Sequence, residues 1–351
     1  MLLIYVRKNL IMRSLTKADA PASYSVIDKY RDYLRIWLPW ADATKSPDVT
    51  ADVISAWETQ YEDGSDVVLG IFEGGEYVGN IGLHDMKRHN RSGMIGYWLA
   101  GDRQGRGIIT DCVRALTSYG FHNLGLNRIY IHCAKENAKS RAVPVRLGFL
   151  QEGVLQDAEY LHGVFHDLIL YGLVKRNWDH GGCVCLATPD AKHEDSAMEF
   201  RREHLDCGES WIHGSGGLID ADDYKTWLEK TATARIEAPE GRVKASTMFL
   251  FAGGRIAGTV QIRHTLNEEL YKSGGHIGYG VRPSERRKGY GAIMLSLALA
   301  YCRVLGISRA LVTCDKKNIG SAAVIVKNGG VLENEAADEN GNIVQRYWIS
   351  V

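Results

Sequence analysis

The chain of 351 residues shows no charge excess of either sign, no paired cysteine spacing and no long apolar run, and each absence excludes a class of function. Lys plus Arg number 42 and Asp plus Glu number 42. The balance is also local, 21 against 21 up to His180 and 21 against 21 beyond it. Neither half is a basic body, so bulk electrostatics give no case for a nucleic acid or an anionic lipid as partner. The seven cysteines (112, 133, 183, 185, 207, 302 and 314) are odd in number and form no CxxC pairs. That speaks against a disulfide framework or a metal site, and for reduced thiols in a cytoplasm. The longest apolar opening, Met1 to Val6, stops at Arg7 and Lys8, too short for a signal-peptide core or a bilayer span. With 45% hydrophobic and 24% charged residues, the composition is that of a soluble globular chain, long enough for two domains of about 150–200 residues.

What the chain does contain is internal repetition. Ile95-Gly96-Tyr97 recurs as Ile277-Gly278-Tyr279, a shift that also places Gly107 on Gly289 and Tyr119 on Tyr301. After a single deleted residue, Leu124, Gly125, Arg128, Cys133, Lys135, Asn137, Ser140 and Gly148 fall on Leu305, Gly306, Arg309, Cys314, Lys316, Asn318, Ser321 and Gly329. Upstream, the stretch from Phe72 to Gly79 parallels that from Phe251 to Gly258. Two copies of one unit are expected, over residues 1–178 and 183–351.

Each copy has the same order of elements. Hairpins are expected at 67–72 with 77–84 and at 248–251 with 255–263, each around a Gly-Gly turn. A third strand follows (93–100; 276–281), then a glycine-bearing turn opening an apolar-periodic helix (108–121; 290–305). A β-branched strand (128–133; 310–314), a short helix and a final strand pair complete the copy. Helices at 17–35 and 48–62, and at 194–204 and 220–230, stand at its front. The fold class is α+β, a mixed α/β sheet covered by helices, in two tandem copies.

The turn before the long helix carries the chemistry. It reads Gln104-Gly105-Arg106-Gly107-Ile108-Ile109 in the first copy and Arg286-Arg287-Lys288-Gly289-Tyr290-Gly291 in the second. Unpaired amides and the dipole at a helix N-terminus make a site for an anion such as a diphosphate, and glycines let the backbone come close. A solvated glycine-rich connector is the alternative, and repetition of the pattern argues against it. A Rossmann site needs GxGxxG after the first of two parallel strands, and a Walker site needs a lysine-serine pair. Neither is here.

These residues resemble the GNAT acetyltransferases: RxxGxG after a strand, another strand, then Asn opening a short helix. The resemblance covers nearly the whole chain, twice. The first copy is most similar to the Rim-type enzymes that acetylate ribosomal-protein N-termini, through Trp37-Leu38-Pro39-Trp40, Gly96-Tyr97-Trp98-Leu99, Asn137 with Ser140-Arg141, Leu147-Gly148-Phe149, and the run from Ala158 to Gly163. The second is a more generic member. The resemblance implies the GNAT acyl-CoA N-acyltransferase fold and acetyl-CoA as the acetyl donor. Its diphosphate would lie on residues 104–109 and 286–291. Its pantetheine arm would lie along the backbone near Tyr97 and Leu99, and near Tyr279 and Val281. Asn137 and Asn318 would hold the thiol end of the arm, or cap their helices, or both.

The implied reaction is direct attack of a primary amine on the thioester. The tyrosine that many members place seven residues after the Asn is replaced by Pro144 and Ile325. The Rim-type pattern implies Ser140 and Glu159 as the catalytic pair instead. Ser321 retains the serine in the second copy, which has no counterpart of Glu159. Pro144 suggests a helix beginning close to Ser140. Trp37 and Trp40 are expected to line the acceptor pocket or the core. His84 and His89, beside Lys87, Arg88 and Arg91, read as a solvated turn or as a contact to the 3′-phosphate of CoA. The acceptor would be a peptide N-terminus or a small-molecule amine. The alternative is a CoA-binding tandem protein with one inactive copy serving as scaffold or sensor. The halves are expected to pack together, and a homodimer is the other possibility.

Overall fold

Two Gly-Gly turns with positive φ, 61° and 89° at Gly74 and Gly75 and 60° and 84° at Gly253 and Gly254, close the hairpins around which the chain is built. Only glycine takes two such angles in succession without strain. A computed structural model describes residues 1–238, 240–338 and 341–351. Two units are distinct, Leu3–Val184 and Cys185–Val351, with Met1–Leu2 belonging to the second.

In the first unit the strands are β1 (Leu2–Arg7), β2 (Leu10–Arg13), β3 (Val67–Glu73), β4 (Glu76–Lys87), β5 (Ser92–Leu99), β6 (Arg128–Ala134), β7 (Leu150–Leu161) and β8 (Val164–Val174). They lie in the order β1-β2-β3-β4-β5-β6-β8-β7. Neighbours are antiparallel except β5 and β6, which are parallel and paired only over Ser92, Gly93 and Met94. Both strands run on, to Leu99 and Ala134, without pairing to each other. A wedge opens in the sheet there.

The second unit carries the same device in fuller form. Strands β9 (Val184–Ala187), β10 (Ala245–Ala252), β11 (Arg255–Arg263) and β12 (Ile277–Val281) lie in the order β12-β11-β10-β9. Strands β13 (Arg309–Asp315), β14 (Val331–Ala337) and β15 (Ile343–Ser350) form a separate sheet, β13-β15-β14. At the base of the gap the His276 amide donates to the Leu311 carbonyl (2.7 Å), and the Leu311 amide donates back to Nδ1 of His276 (3.0 Å).

The front of the first unit is more broken than one helix over 17–35. Asp19 is held by Arg13 at 2.6 Å and by the Thr16 amide at 2.8 Å, so a 3₁₀ turn precedes α1 (Ala20–Lys29). A short α2 (Arg31–Leu34), α3 (Trp40–Ala43) and α4 (Pro47–Asp63) follow. The Arg31 guanidinium donates to the carbonyls of Ala41 and of Thr44 (2.8 Å), folding the segment between α2 and α4 back on itself. α4 starts under a Ser46 cap on the Val49 amide and ends at Gly64, φ 72°.

Helix α5 (Ile108–His122) buries Ile108, Cys112, Val113, Leu116 and Tyr119, a helical stripe lying over β4, β5 and β6. Each large apolar side chain so buried contributes about 1.5–3 kcal/mol, which fixes where the helix starts relative to the wedge. α6 (Ala138–Arg146) begins two residues before Ser140, under an Asn137 cap, and contains Pro144 in its interior. The second unit repeats the set with α7 (Glu194–Asp206), α8 (Tyr224–Ile236), α9 (Tyr290–Val304) and α10 (Ile319–Lys327). α8 starts later than 220 because Asp223, not Asp220, caps it through the Thr226 amide (2.8 Å).

Candidate active site

The turns ahead of α5 and α9 are built alike. Gly107 (φ 75°) and Gly289 (φ 86°) occupy the N-cap positions, and neither helix has a side-chain cap. A Cβ placed at Gly105, Gly107 or Gly289 would meet nothing within 4 Å, so each turn is open beside its glycines. That opening fits a diphosphate. The basic residues differ in their engagements. Lys139 Nζ reaches Gln104 Oε1 at 3.1 Å from the neighbouring helix, and Arg106 donates to the Asp102 carbonyl at 3.1 Å. In the second unit Arg286 pairs with Glu209 at 2.6 Å and donates to the Val281 carbonyl at 3.1 Å, while Lys288 pairs with Glu285 at 2.9 Å. Arg287, with φ 64°, makes no ion pair among the described residues.

Tyr97 and Leu99 lie on the part of β5 that has left β6, and Tyr279 and Val281 occupy the same place on β12. Asn137 and Asn318 each cap their helix, Oδ1 accepting the amides of Ser140 (3.1 Å) and Ser321 (3.0 Å). Ser140 sits at the centre of a small polar cluster. Its hydroxyl is 3.1 Å from the Tyr97 hydroxyl and 3.2 Å from Cys133 Sγ. The Tyr97 hydroxyl also donates to the Ser140 carbonyl at 3.0 Å, which Pro144 cannot serve. Burial raises Tyr97 far above an ordinary phenol, and burial raises the Cys133 thiol as well, so both are neutral donors. The second unit repeats the contact, with Tyr279 3.0 Å from Ser321 Oγ and pushed up to about 12 by burial.

The other face of the wedge is different in character. Gly96 and Trp98 point opposite to Tyr97, and their β4 partners are Gly82 and Asn80. Trp40 meets Trp98 at 5.9 Å, and Trp37 stands edge-on to His166 at 6.1 Å. Glu159 is the cross-strand partner of His166, just past an irregularity in the β7–β8 ladder. His166 Nδ1 lies 3.3 Å from Glu136 Oε2, one residue before Asn137. Burial raises the Glu159 carboxyl, tempered by His166. His162, at the tip of the β7–β8 hairpin, donates from Nε2 to the Arg35 carbonyl (2.7 Å), drawing the hairpin to the helical front. Trp37, Trp40, Glu159, His166 and Glu136 thus form one mouth, while Ser140 and Tyr97 lie beneath α6 on the opposite face.

Three side-chain groups escaped the sequence reading. His166 and Glu136 become visible only through the hairpin register, and the Tyr97 hydroxyl only through strand alternation against α6. His84, read in the sequence as part of a solvated turn or a phosphate contact, lies on β4 with Nδ1 2.9 Å from Asp66 Oδ2. Carboxylates of the second unit's last hairpin are engaged, Glu333 with Arg346 (3.1 Å) and Glu335 with Lys316 (2.6 Å). Six of the cysteines are buried and Cys207 is exposed. Among the described residues no cluster of His, Cys, Asp and Glu could hold a metal ion, and no helix is long and apolar enough to cross a membrane.

Comparison with known proteins places this geometry. A family model described as "Acetyltransferase (GNAT) domain" matches residues 9–150 and again 185–331. Bacillus subtilis (strain 168) YdaF, named provisionally as a ribosomal N-acetyltransferase, is 39% identical over 175 residues, 50% of this chain and 96% of YdaF. The "Ribosomal-protein-serine acetyltransferase" of Escherichia coli (strain K12) is 29% identical over 171 residues, 49% of this chain and 96% of the relative. Among solved structures, RimL, a ribosomal L7/L12 alpha-N-protein acetyltransferase in complex with coenzyme A, is 28% identical with a TM-score of 0.48, covering 49% of this chain and 97% of that one. The Rim-type relatives fall on the first half.

Proposed function

We propose that this chain, which belongs to the GNAT acetyltransferase family, uses its first unit to acetylate a primary amine, a peptide N-terminus above all, by direct attack of the amine on acetyl-CoA. Membership makes the chain an N-acetyltransferase whose acetyl donor is acetyl-CoA. The observation that carries the finer reading is the two-faced wedge: a serine cluster under α6 on one face, and an aromatic, carboxylate-bearing mouth on the other.

The residues divide the work. Amides at 108 and 109, with Lys139 beside them, hold the diphosphate, and the unpaired edge of β5 at Tyr97 and Leu99 holds the arm. An α-amino group titrates near ~7.7–8, so at neutral pH it arrives largely as the ammonium. Glu159, half-buried and raised, receives it between Trp37 and Trp40 and takes the first proton. Ser140, its carbonyl and hydroxyl both held by Tyr97, stabilises the departing thiolate, which takes a proton from solvent. Holding both reactants across the wedge removes much of the entropic barrier. A peptide N-terminus is favoured because the relatives on this half are named for ribosomal proteins.

The test is acetyl transfer measured by thiol release over a panel of peptide N-termini, polyamines and other small amines. Turnover on a peptide N-terminus, cut about a hundredfold by Glu159→Gln and by Ser140→Ala, is the expected result. Turnover insensitive to both variants contradicts it.

A second reading concerns the second unit. It has no counterpart of Glu159, and the carboxylates of its last hairpin, Glu333 and Glu335, are engaged by Arg346 and Lys316, which favours a copy that binds CoA without turning over.

A further inference from the structure

The acceptor face of the first unit holds an oriented dyad to which nothing above assigns a role. His84 folds back along β4 so that its imidazole covers the facing glycines Gly82 and Gly96. A Cβ at Gly82 would lie 2.5 Å from Nε2 of His84, and one at Gly96 would lie 3.4 Å from Cδ2 and 3.6 Å from Nε2. Two glycines facing each other leave a bare floor, and the imidazole is what occupies it. Gly96 is the second residue past Met94, where β5 leaves β6, and its neighbour Tyr97 touches Ser140 on the opposite face. Nε2 of His84 therefore stands over the start of the wedge, on the side from which an amine approaches.

The other nitrogen is fixed. Nδ1 of His84 is 2.9 Å from Asp66 Oδ2, and Asp66 Oδ1 accepts the Asp85 amide at 3.1 Å, so the carboxylate is locked from both sides. A carboxylate at Nδ1 selects the tautomer whose Nε2 carries the lone pair. The charged and titratable groups around the dyad are Asp85 and Lys87 on β4 (3.3 Å apart), Tyr130 on β6, which donates to Asp85 at 3.0 Å, His132 beside Tyr130, and Asp63 at the end of α4. The repeat supplies an internal contrast. The shift that places Gly79 on Gly258 places His84 on Arg263, which donates to the carbonyls of Gly274 (3.2 Å) and Gly275 (3.4 Å). A guanidinium in proteins does not give up its proton and cannot act as a base.

We propose that His84, positioned by Asp66, accepts the proton that the acceptor nitrogen loses as the amide forms, and that the second unit lacks this base. The inference rests on acetyl transfer by the first unit. Once Glu159 has taken the first proton, the nitrogen lone pair bonds to the acetyl carbon and the carbon–sulfur bond breaks with its electron pair going to sulfur. The nitrogen then sheds its second proton to Nε2 of His84, Glu159 and His84 each return their proton to solvent, and the thiolate takes one proton from solvent. One amide, one thiol and one released proton result from an ammonium and a thioester.

The test uses the full chain with acetyl-CoA and the amine that the panel identifies. His84→Ala is expected to lower kcat about a hundredfold, with acetyl-CoA affinity by calorimetry unchanged, and free imidazole to restore part of the rate. His84→Arg, which copies the second unit, should lose the rate without rescue, and Asp66→Asn should cost less than either. A kcat within about threefold of the unaltered chain overturns the assignment, as does a loss that imidazole does not repair in a chain still binding acetyl-CoA. Either of those results leaves acetyl transfer by the first unit standing. A chain that acetylates none of the panel, or that loses nothing with Ser140→Ala and Glu159→Gln, overturns the underlying reading and this one together.

Discussion

Pro144 has no amide to offer the Ser140 carbonyl four residues earlier, and the Tyr97 hydroxyl, 3.0 Å away, stands in for it. Replacing Tyr97 by Phe orphans that carbonyl and also frees the Ser140 hydroxyl to turn. The expected cost is about 1–2 kcal/mol, the usual penalty for a half-buried acceptor left without a donor. Pro144→Ala restores a helical amide to the same carbonyl, so in its background Tyr97→Phe should cost less than about half as much. A double-mutant cycle by urea unfolding reads the coupling directly, and additive losses would mean that the two residues do not share the carbonyl. The serine and Glu159 are candidates already in the sequence because they fall within short motifs around Asn137 and the run from Ala158 to Gly163. The Tyr97 hydroxyl, His166 and His84 are not, since each acquires its partner from another element: Ser140 on α6, Glu136 ahead of α6, and Asp66 ahead of β3. His84 in particular reads as part of a charged turn until the register sets it above the facing glycines.

At the scale of an element, the glycine turn ahead of α9 in the second unit is anchored from behind by α7. Arg282, 1% exposed, follows β12, donates to Glu203 and Glu199 on α7 at 2.5 and 2.8 Å, and reaches the Ile256 carbonyl. Partial burial alone would raise the Glu203 carboxyl, but the Ser284 hydroxyl and amide and the Arg282 guanidinium outweigh it and bring Glu203 to about 2. A depressed carboxyl contributes stability that is complete above its ordinary value of 4.5 and is lost as the pH falls toward about 2. Unfolding of the second unit should therefore become easier between those values, and Glu203→Gln should remove that dependence. At neutral pH the same change should cost about 2 kcal/mol, less than a fully buried pair because Glu203 is 21% exposed and Glu199 still faces Arg282. An unchanged acid limb in Glu203→Gln would place the dependence elsewhere. Hairpins and long helices are read from the sequence with their bounds nearly right, because glycine turns and apolar periodicity act locally. The front helices are misread at 17–35 and 220–230, where Asp19 and Arg31 make distant or side-chain-specific bonds and Asp223 caps in place of Asp220.

Across the whole chain, duplication has kept the helix-terminal cradle and the tyrosine–serine contact while letting the acceptor faces diverge, His84 with Asp66 in one unit and Arg263 in the other. The repeat is the feature most readable from sequence, since matched glycines and an Asn-to-Ser spacing survive where surface residues do not. What it leaves open is which copy turns over, because that depends on side chains brought together only by folding. Titration calorimetry of the full chain with acetyl-CoA, followed by thiol release on adding a peptide amine, addresses the shared cradle most directly. Two molecules bound per chain, with release cut about a hundredfold by Ser140→Ala and left intact by Ser321→Ala, is the result expected. Absence of binding at millimolar acetyl-CoA would contradict the cradle in both units at once.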